Sequence, residues 1–162
     1  MIFVTVGSQK FPFDRLLKQL DELVESGVIQ DKLFAQIGAA TYEPRYYEWE
    51  RFVDREKYAS CIDACDYLIT HGGEGAIMTG LLHGKKVIAN VRYSKYGEHL
   101  NDHQLMIVKA LEQQNHIIAV YDTDSLAEKY REAQVRNLTP YLSQKNRILQ
   151  TICEFIDNDE KG

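Results

Sequence analysis

The chain has 162 residues, 44% of them hydrophobic and 27% charged, with a formal net charge of −5 and three cysteines. That length fits one domain, which buries roughly 70% of the surface its unfolded chain exposes, and the composition is that of a globular protein, not a disordered one. The acidic balance and the lack of a basic stripe exclude nucleic acid as an expected partner, and no run reaches the roughly 18 apolar residues of a membrane span.

The opening Met1-Ile-Phe-Val-Thr-Val-Gly7 has neither a positive flank nor a cleavage site, so it reads as a first core strand, near Ile2–Val6, and not as a signal peptide. Leu16, Leu17, Leu20, Leu23 and Val24 fall at helical spacing, with Gly27 as the stop of a helix near Phe13–Ser26. A strand near Leu33–Ile37 follows. The stretch 42–58 is dense in aromatics. Alternation at Glu48-Trp49-Glu50-Arg51-Phe52 predicts an edge strand near Glu48–Val53, with Trp49 and Phe52 in the core. Tyr42, Tyr46 and Tyr47 fall in a loop, where exposed aromatics point to an interface. A helix near Arg55–Ala64 carries Cys61, and Cys65 lies one turn on; with Cys153 they make an odd set without a second pair, expected to be buried, reduced thiols of a cytoplasmic protein and not a zinc site.

Strands near Tyr67–Thr70, Val87–Asn90 and Ile117–Val120 then alternate with helices near Gly75–His83, Asn101–Gln114 and Ser125–Gln134. A last helix is expected around Leu142–Ile156, where Ile148, Leu149, Ile152, Phe155 and Ile156 make an apolar face, docked on the chain's own sheet or meeting a partner protein. The alternation predicts an α/β fold: a single doubly wound, Rossmann-like domain over residues 1–162, with a six-stranded, mostly parallel sheet.

Ligands of such sheets bind at the carboxyl ends of the strands, where three loops are expected to gather: Gly7-Ser8-Gln9, His71-Gly72-Gly73-Glu74-Gly75, and Arg92 to Gln104. Glycines 72, 73 and 75 suit a backbone with positive φ that approaches a ligand closely. The helix behind them offers unpaired N–H groups and a positive dipole end, an anion site for a phosphate or diphosphate. Neither glycine cluster is a standard fingerprint. Gly84-Lys85-Lys86 lacks the hydroxyl and spacing of a P-loop, and Met78 stands where a dinucleotide fingerprint needs its third glycine, which ranks a small oxidoreductase last. Glu74 is read either as a helix-stabilising carboxylate or as a contact to sugar hydroxyls. In the third loop, Asn101 and Asp102 suit helix capping. Glu98, His99, His103 and Gln104 exceed that need and suit hydrogen bonds to a sugar, ribose or base edge, while His83 and His116 are expected to be bystanders. No Asp-x-Asp at a strand end suggests a metal–diphosphate clamp.

Val4-Thr-Val-Gly-Ser-Gln9, Ile69-Thr-His-Gly-Gly-x-Gly75, Gly84-Lys-Lys-Val-Ile88 and Tyr96-Gly-Glu-His-x-x-Asp-His-Gln104 together resemble the carboxyl-terminal, donor-binding half of family 28 glycosyltransferases. The likeness is strongest to the stand-alone form of that half, found in a dolichol-linked N-acetylglucosaminyltransferase and in bacterial capsular or exopolysaccharide transferases. The resemblance implies one half of a GT-B fold that binds a UDP-sugar, inverts the anomeric centre, needs no metal or other cofactor, and transfers to a lipid-linked sugar. It implies a membrane-anchored partner subunit that supplies the acceptor half and holds this chain at the inner, cytoplasmic membrane face. A GT-B enzyme needs two doubly wound domains, and 162 residues supply one. The family's donor-binding positions fall here on Gly7, Ser8 and Gln9, on His71, Gly72, Gly73, Glu74 and Gly75, and on Asn101, Asp102, His103 and Gln104. Glu98, His99 and His103 are candidate bases for the acceptor hydroxyl, alongside a group on the partner. Thr79 departs from the pattern, since relatives carry Glu there against the ribose. A non-catalytic module of the same fold, binding a nucleotide or phosphorylated ligand to regulate a partner, is the alternative.

Overall fold

A computed structural model describes residues 1–99 and 104–142. Strands β1 (Ile2–Thr5), β2 (Leu33–Gln36), β3 (Glu48–Glu50), β4 (Tyr67–His71), β5 (Lys86–Asn90) and β6 (Ile118–Val120) form one sheet in the order β3-β2-β1-β4-β5-β6. Every pairing is parallel. Helices α1 (Asp14–Glu25), α2 (Arg55–Ala64), α3 (Glu74–Leu82), α4 (Gln104–Gln113) and α5 (Leu126–Val135) alternate with them.

Side-chain alternation along β1 sends Ile2 and Val4 to one face and Phe3 to the other. On the first face they meet Leu16, Leu17 and Leu20 of α1 and Leu126, Tyr130 and Ala133 of α5. On the second, Phe3 joins Ile62 of α2, Ile77 and Leu81 of α3, and Val108 and Leu111 of α4. Burying each leucine fully stabilises the fold by about 1.5–3 kcal/mol, so the two apolar layers explain why the middles of the central strands are apolar and their polar residues fall at the ends. Gly27 ends α1 with a φ of +80°, as its position after the leucine stripe predicts. Asp54 and Ser125 cap α2 and α5 by accepting from the N–H groups of Lys57 (2.8 Å) and Glu128 (3.3 Å).

Several boundaries differ from the sequence reading. β3 stops at Glu50, and Phe52 is 56% exposed instead of buried, because the chain turns there to bring the Val53 N–H onto Gln36 Oε1 (3.0 Å) and Asp54 into its capping position. Trp49 does pack against the core. A single 3₁₀ turn, Ser94–Tyr96, interrupts the third loop, and α4 starts at Gln104 in the described residues. Of the loop aromatics, Tyr42 and Tyr47 pack on the chain itself, while Tyr46 stays exposed; Tyr42 Oη donates to Asp21, Tyr46 Oη to Glu25 and Tyr47 Oη to the Leu17 carbonyl, all on α1. Cys61 and Cys65 are buried free thiols, both pushed up by burial. The final helix, Cys153, Asn101, Asp102 and His103 lie outside the described residues. Among the described residues no helix is long and apolar enough to cross a membrane.

Candidate functional site

Strand order reverses between β1 and β4, the point at which a doubly wound sheet leaves a crevice beyond its carboxyl ends. A cavity of about 480 Å³ occupies this place. Gly7, Ser8 and Gln9 wall one side, His71, Gly73, Glu74 and Gly75 the other, and Gln104 reaches in from the start of α4. Loops separated by almost a hundred residues in sequence thus meet in one space.

The floor is polar where the strands end. Thr5 and Gln36, register partners in β1 and β2, both line the cavity. Gln36 Nε2 and the Gly7 N–H donate to Thr5 Oγ1, each at 3.3 Å, and Thr70 Oγ1 donates to the Thr5 carbonyl at 3.0 Å. Tyr58 of α2 closes the side. Sequence reasoning missed Thr5, Gln36 and Tyr58. The available signal was a polar residue closing an otherwise apolar strand at the same register in two neighbours.

His71 organises the turn. The Gly73 N–H donates to its Nδ1 (2.9 Å), so the neutral ring carries its proton on Nε2. Burial, then the charges of Arg92 and His99, push its pKa down to about 3, against a smaller opposing contribution from Gln104. The ring is neutral at physiological pH. It also accounts for two glycines. A Cβ on Gly73 would lie 2.0 Å from His71 Cε1, and one on Gly7 would lie 2.7 Å from Nε2. This corrects the expected reason for the glycine cluster: the positive-φ glycine of the site is Gly7 (+80°), and Gly72, Gly73 and Gly75 do not share that conformation. A Cβ on Gly72 would lie tightly, 3.3 Å from Gln104 Cβ and 3.4 Å from Val108 Cγ2, whereas one on Gly75 would meet open space.

Gly73 is the N-cap of α3 and offers no capping side chain, leaving the first N–H groups of the helix directed at the cavity. Glu74 is exposed at its rim. The Gln104 Oε1 atom is shielded from solvent and makes no hydrogen bond of full geometry, its neighbour being the His71 ring on which it acts.

Other candidates lie elsewhere. Both carboxylate oxygens of Glu98 accept from Arg15, and one also accepts the Tyr93 N–H; Glu98 does not line the cavity. The His99 ring sits 5.7 Å from that of Phe11. Thr79 donates to the Gly75 carbonyl at 2.8 Å within α3 and does not line the cavity either. His83 and His116 donate from Nδ1 to the carbonyls of Thr79 and Thr139, away from the site. A second cavity of about 480 Å³ lies at the amino ends of the strands, between Leu81, Leu138 and Tyr141. The lysines on its border spend their ammonium groups on the carbonyls of Asp63 and Ala133, so it offers no free ligand group of that kind. Among the described residues no three His, Cys, Asp or Glu side chains converge as a metal-ligand set.

The model of the glycosyltransferase family 28 C-terminal domain matches residues 1–158. The solution structure of ALG13 superposes with a TM-score of 0.60 at 18% identity, covering 93% of each chain. A glycotransferase of kitacinnamycin (TM-score 0.61, 19% identity) and the glycosyltransferase SnogD from Streptomyces nogalater (0.58, 17%) align with 83% and 82% of this chain, which spans about 34% of either. These likenesses show the fold. A search of curated proteins finds no match.

Proposed function

The chain belongs to the glycosyltransferase family 28 C-terminal domains, and from that premise we propose that it is the donor-binding, catalytic subunit of a two-chain inverting glycosyltransferase. Its donor is a UDP-sugar, its acceptor a lipid-linked saccharide of capsule or exopolysaccharide synthesis. The acceptor half belongs to a membrane-anchored partner that holds this chain at the cytoplasmic membrane face. No metal is required at the transfer step.

One observation carries this reading: the loops after β1 and β4 and the head of α4 meet around an uncapped helix terminus at the switch point of the sheet. The diphosphate lies against the first N–H groups of α3 and the Nε2–H of His71. A helix terminus supplies at most about 2 kcal/mol, whereas millimolar affinity needs about 4. Ser8, Gln9 and Gln104 contribute the remainder, with Gln104 Oε1 accepting from the nucleotide or its sugar. Asn101, Asp102 and His103 complete the donor contacts in this proposal. The base that deprotonates the acceptor is His99, His103 or a group of the partner, because Arg15 occupies Glu98.

The test is co-expression with a candidate membrane partner, followed by transfer from radiolabelled UDP-sugars to a lipid-linked acceptor and calorimetry with UDP. Absence of both transfer and UDP binding rejects the proposal.

The non-catalytic alternative is favoured by two observations: the Thr79 hydroxyl is turned onto its own helix, and the Glu98 carboxylate is fully engaged. Wild-type turnover that disappears in a folded Gln104→Ala variant rules that alternative out.

A further inference from the structure

Arg92 is the largest fully buried side chain among the described residues, at 1% exposure. It stands two residues beyond β5. Its Nη2 donates to the Val6 carbonyl, and its guanidinium carbon lies 5.2 Å from the centre of the Phe13 ring. Nε and Nη1 are shielded from solvent and meet no acceptor among the described residues. Glu98, whose charge acts favourably on Arg92, gives its oxygens to Arg15 and to the Tyr93 N–H.

Such an arrangement opposes folding. A buried charge is costly unless it is paired, and unmade hydrogen bonds add to that cost. Methionine would fill similar space without either penalty. Burial pulls the Arg92 pKa down to about 10, so it remains a cation at neutral pH.

Its position relates the charge to the candidate site. Val6 immediately precedes the cavity-lining Gly7, and Arg92 acts electrostatically on the cavity-lining His71. Among the described lining residues of the cavity there is no lysine or arginine, and the carboxylate is that of Glu74. An anion placed there is opposed by Glu74 and by the chain's net charge of −5.

We propose that Arg92 is the counter-charge of this cavity: a buried cation acting from behind the Gly7 loop and the His71 ring on an anion held at the amino terminus of α3. Arg92 touches no ligand atom. It is a positioning and field residue, and it makes the site prefer a charged nucleotide to its neutral counterpart. The inference rests on reading the cavity as a nucleoside diphosphate site.

The experiment compares UDP, inorganic pyrophosphate and uridine by NMR titration of the full chain, in wild type, Arg92→Met, Arg92→Gln and Arg92→Lys, with thermal unfolding of each. Screened by the solvent that reaches the open cavity, the lost charge weakens UDP and pyrophosphate about tenfold in Arg92→Met. Uridine affinity stays at the wild-type value, the Tm is kept or raised, and Arg92→Lys restores most of the UDP affinity. Arg92→Gln, which keeps a donor for the Val6 carbonyl, carries the same expectation as Arg92→Met should the latter not fold. Equal loss of UDP and uridine overturns the inference, as does unchanged UDP affinity or failure of both neutral variants to fold. A wild-type chain that binds neither UDP nor pyrophosphate rejects the site itself, a result visible before any variant is made.

Discussion

Arg15 on α1 and Glu98 in the loop after β5 form a two-pronged ion pair, Nε to Oε1 at 2.8 Å and Nη2 to Oε2 at 3.0 Å, across 83 residues of chain. The Arg15 Nη2 also donates to the Val91 carbonyl at 3.0 Å, and its guanidinium lies 5–6 Å from the rings of Phe13, Tyr93 and Tyr96. Bidentate geometry with a buried carboxylate makes this pair worth more than a surface contact. Glu98→Gln keeps the shape and removes the charge. It is expected to lower stability by about 2 kcal/mol, discounted for the partial exposure of Arg15, and to loosen the segment 91–98. Urea unfolding and amide hydrogen exchange across that segment measure both effects.

Gly73 and Gly75 separate two explanations of a glycine-rich turn. A Cβ at 73 drives into His71 at 2.0 Å, while a Cβ at 75 meets nothing within 4 Å. Gly73→Ala is therefore expected to displace the imidazole, break the 2.9 Å bond from the Gly73 N–H and cost about 1–3 kcal/mol, with loss of UDP binding. Gly75→Ala lies inside α3 and is expected to stabilise by up to about 1 kcal/mol. Thermal unfolding and calorimetry with UDP on the two alanine variants check the contrast.

His71 gives the fold a pH dependence of defined direction. Its native pKa of about 3 lies below the ordinary value of 6.5, so between these the unfolded chain binds the extra proton. The stabilisation is complete above pH 6.5 and declines as pH falls towards 3, at up to about 1.4 kcal/mol per unit. Asp14, Asp66 and Asp122, held below their ordinary value by hydrogen bonds or by neighbouring cations, lose their contribution below about pH 4. Chemical unfolding at pH 7, 6, 5 and 4.5 should show a falling stability that His71→Phe flattens. An equal slope in that variant would assign the effect to other groups.

Asp21 offers a control remote from the cavity. Its buried carboxylate accepts from the N–H groups of Arg45 (2.9 Å) and Tyr46 (2.9 Å) and from the Tyr42 hydroxyl (2.5 Å), fastening the aromatic loop to α1. Asp21→Ala strands these donors and is expected to cost about 3 kcal/mol. UDP affinity should not change in the folded fraction.

The sheet and its helices were legible because apolar runs and leucine spacings are local signals; the buried stripe of α1 and its Gly27 stop are where the sequence places them. The meeting of Gly7, His71 and Gln104 around one cavity was likewise legible, since loops at strand ends converge. The conformations were not. Gly73 looks like a residue chosen for backbone freedom, but its φ is an ordinary −72°, and it is small because a ring two positions earlier folds back on it. Phe52 follows the alternating pattern, yet the strand ends two residues before it. Glu98 reads as a free acid in a polar loop because nothing local shows that Arg15 has taken it. The misses are a side chain folding back on a near neighbour at Gly73, a turn whose direction the local pattern does not encode at Phe52, and a contact between residues distant in sequence at Glu98.

Both outer strands of the sheet, β3 and β6, are three residues long. A peptide that joined either border by backbone pairing would find a template too brief to fix its register. Recruitment of another polypeptide by strand addition is therefore disfavoured in this molecule. Among the described residues, the side chains of the helical layers and of the mouth of the crevice are then the surfaces where complementarity, and not ladder formation, would set the choice of companion.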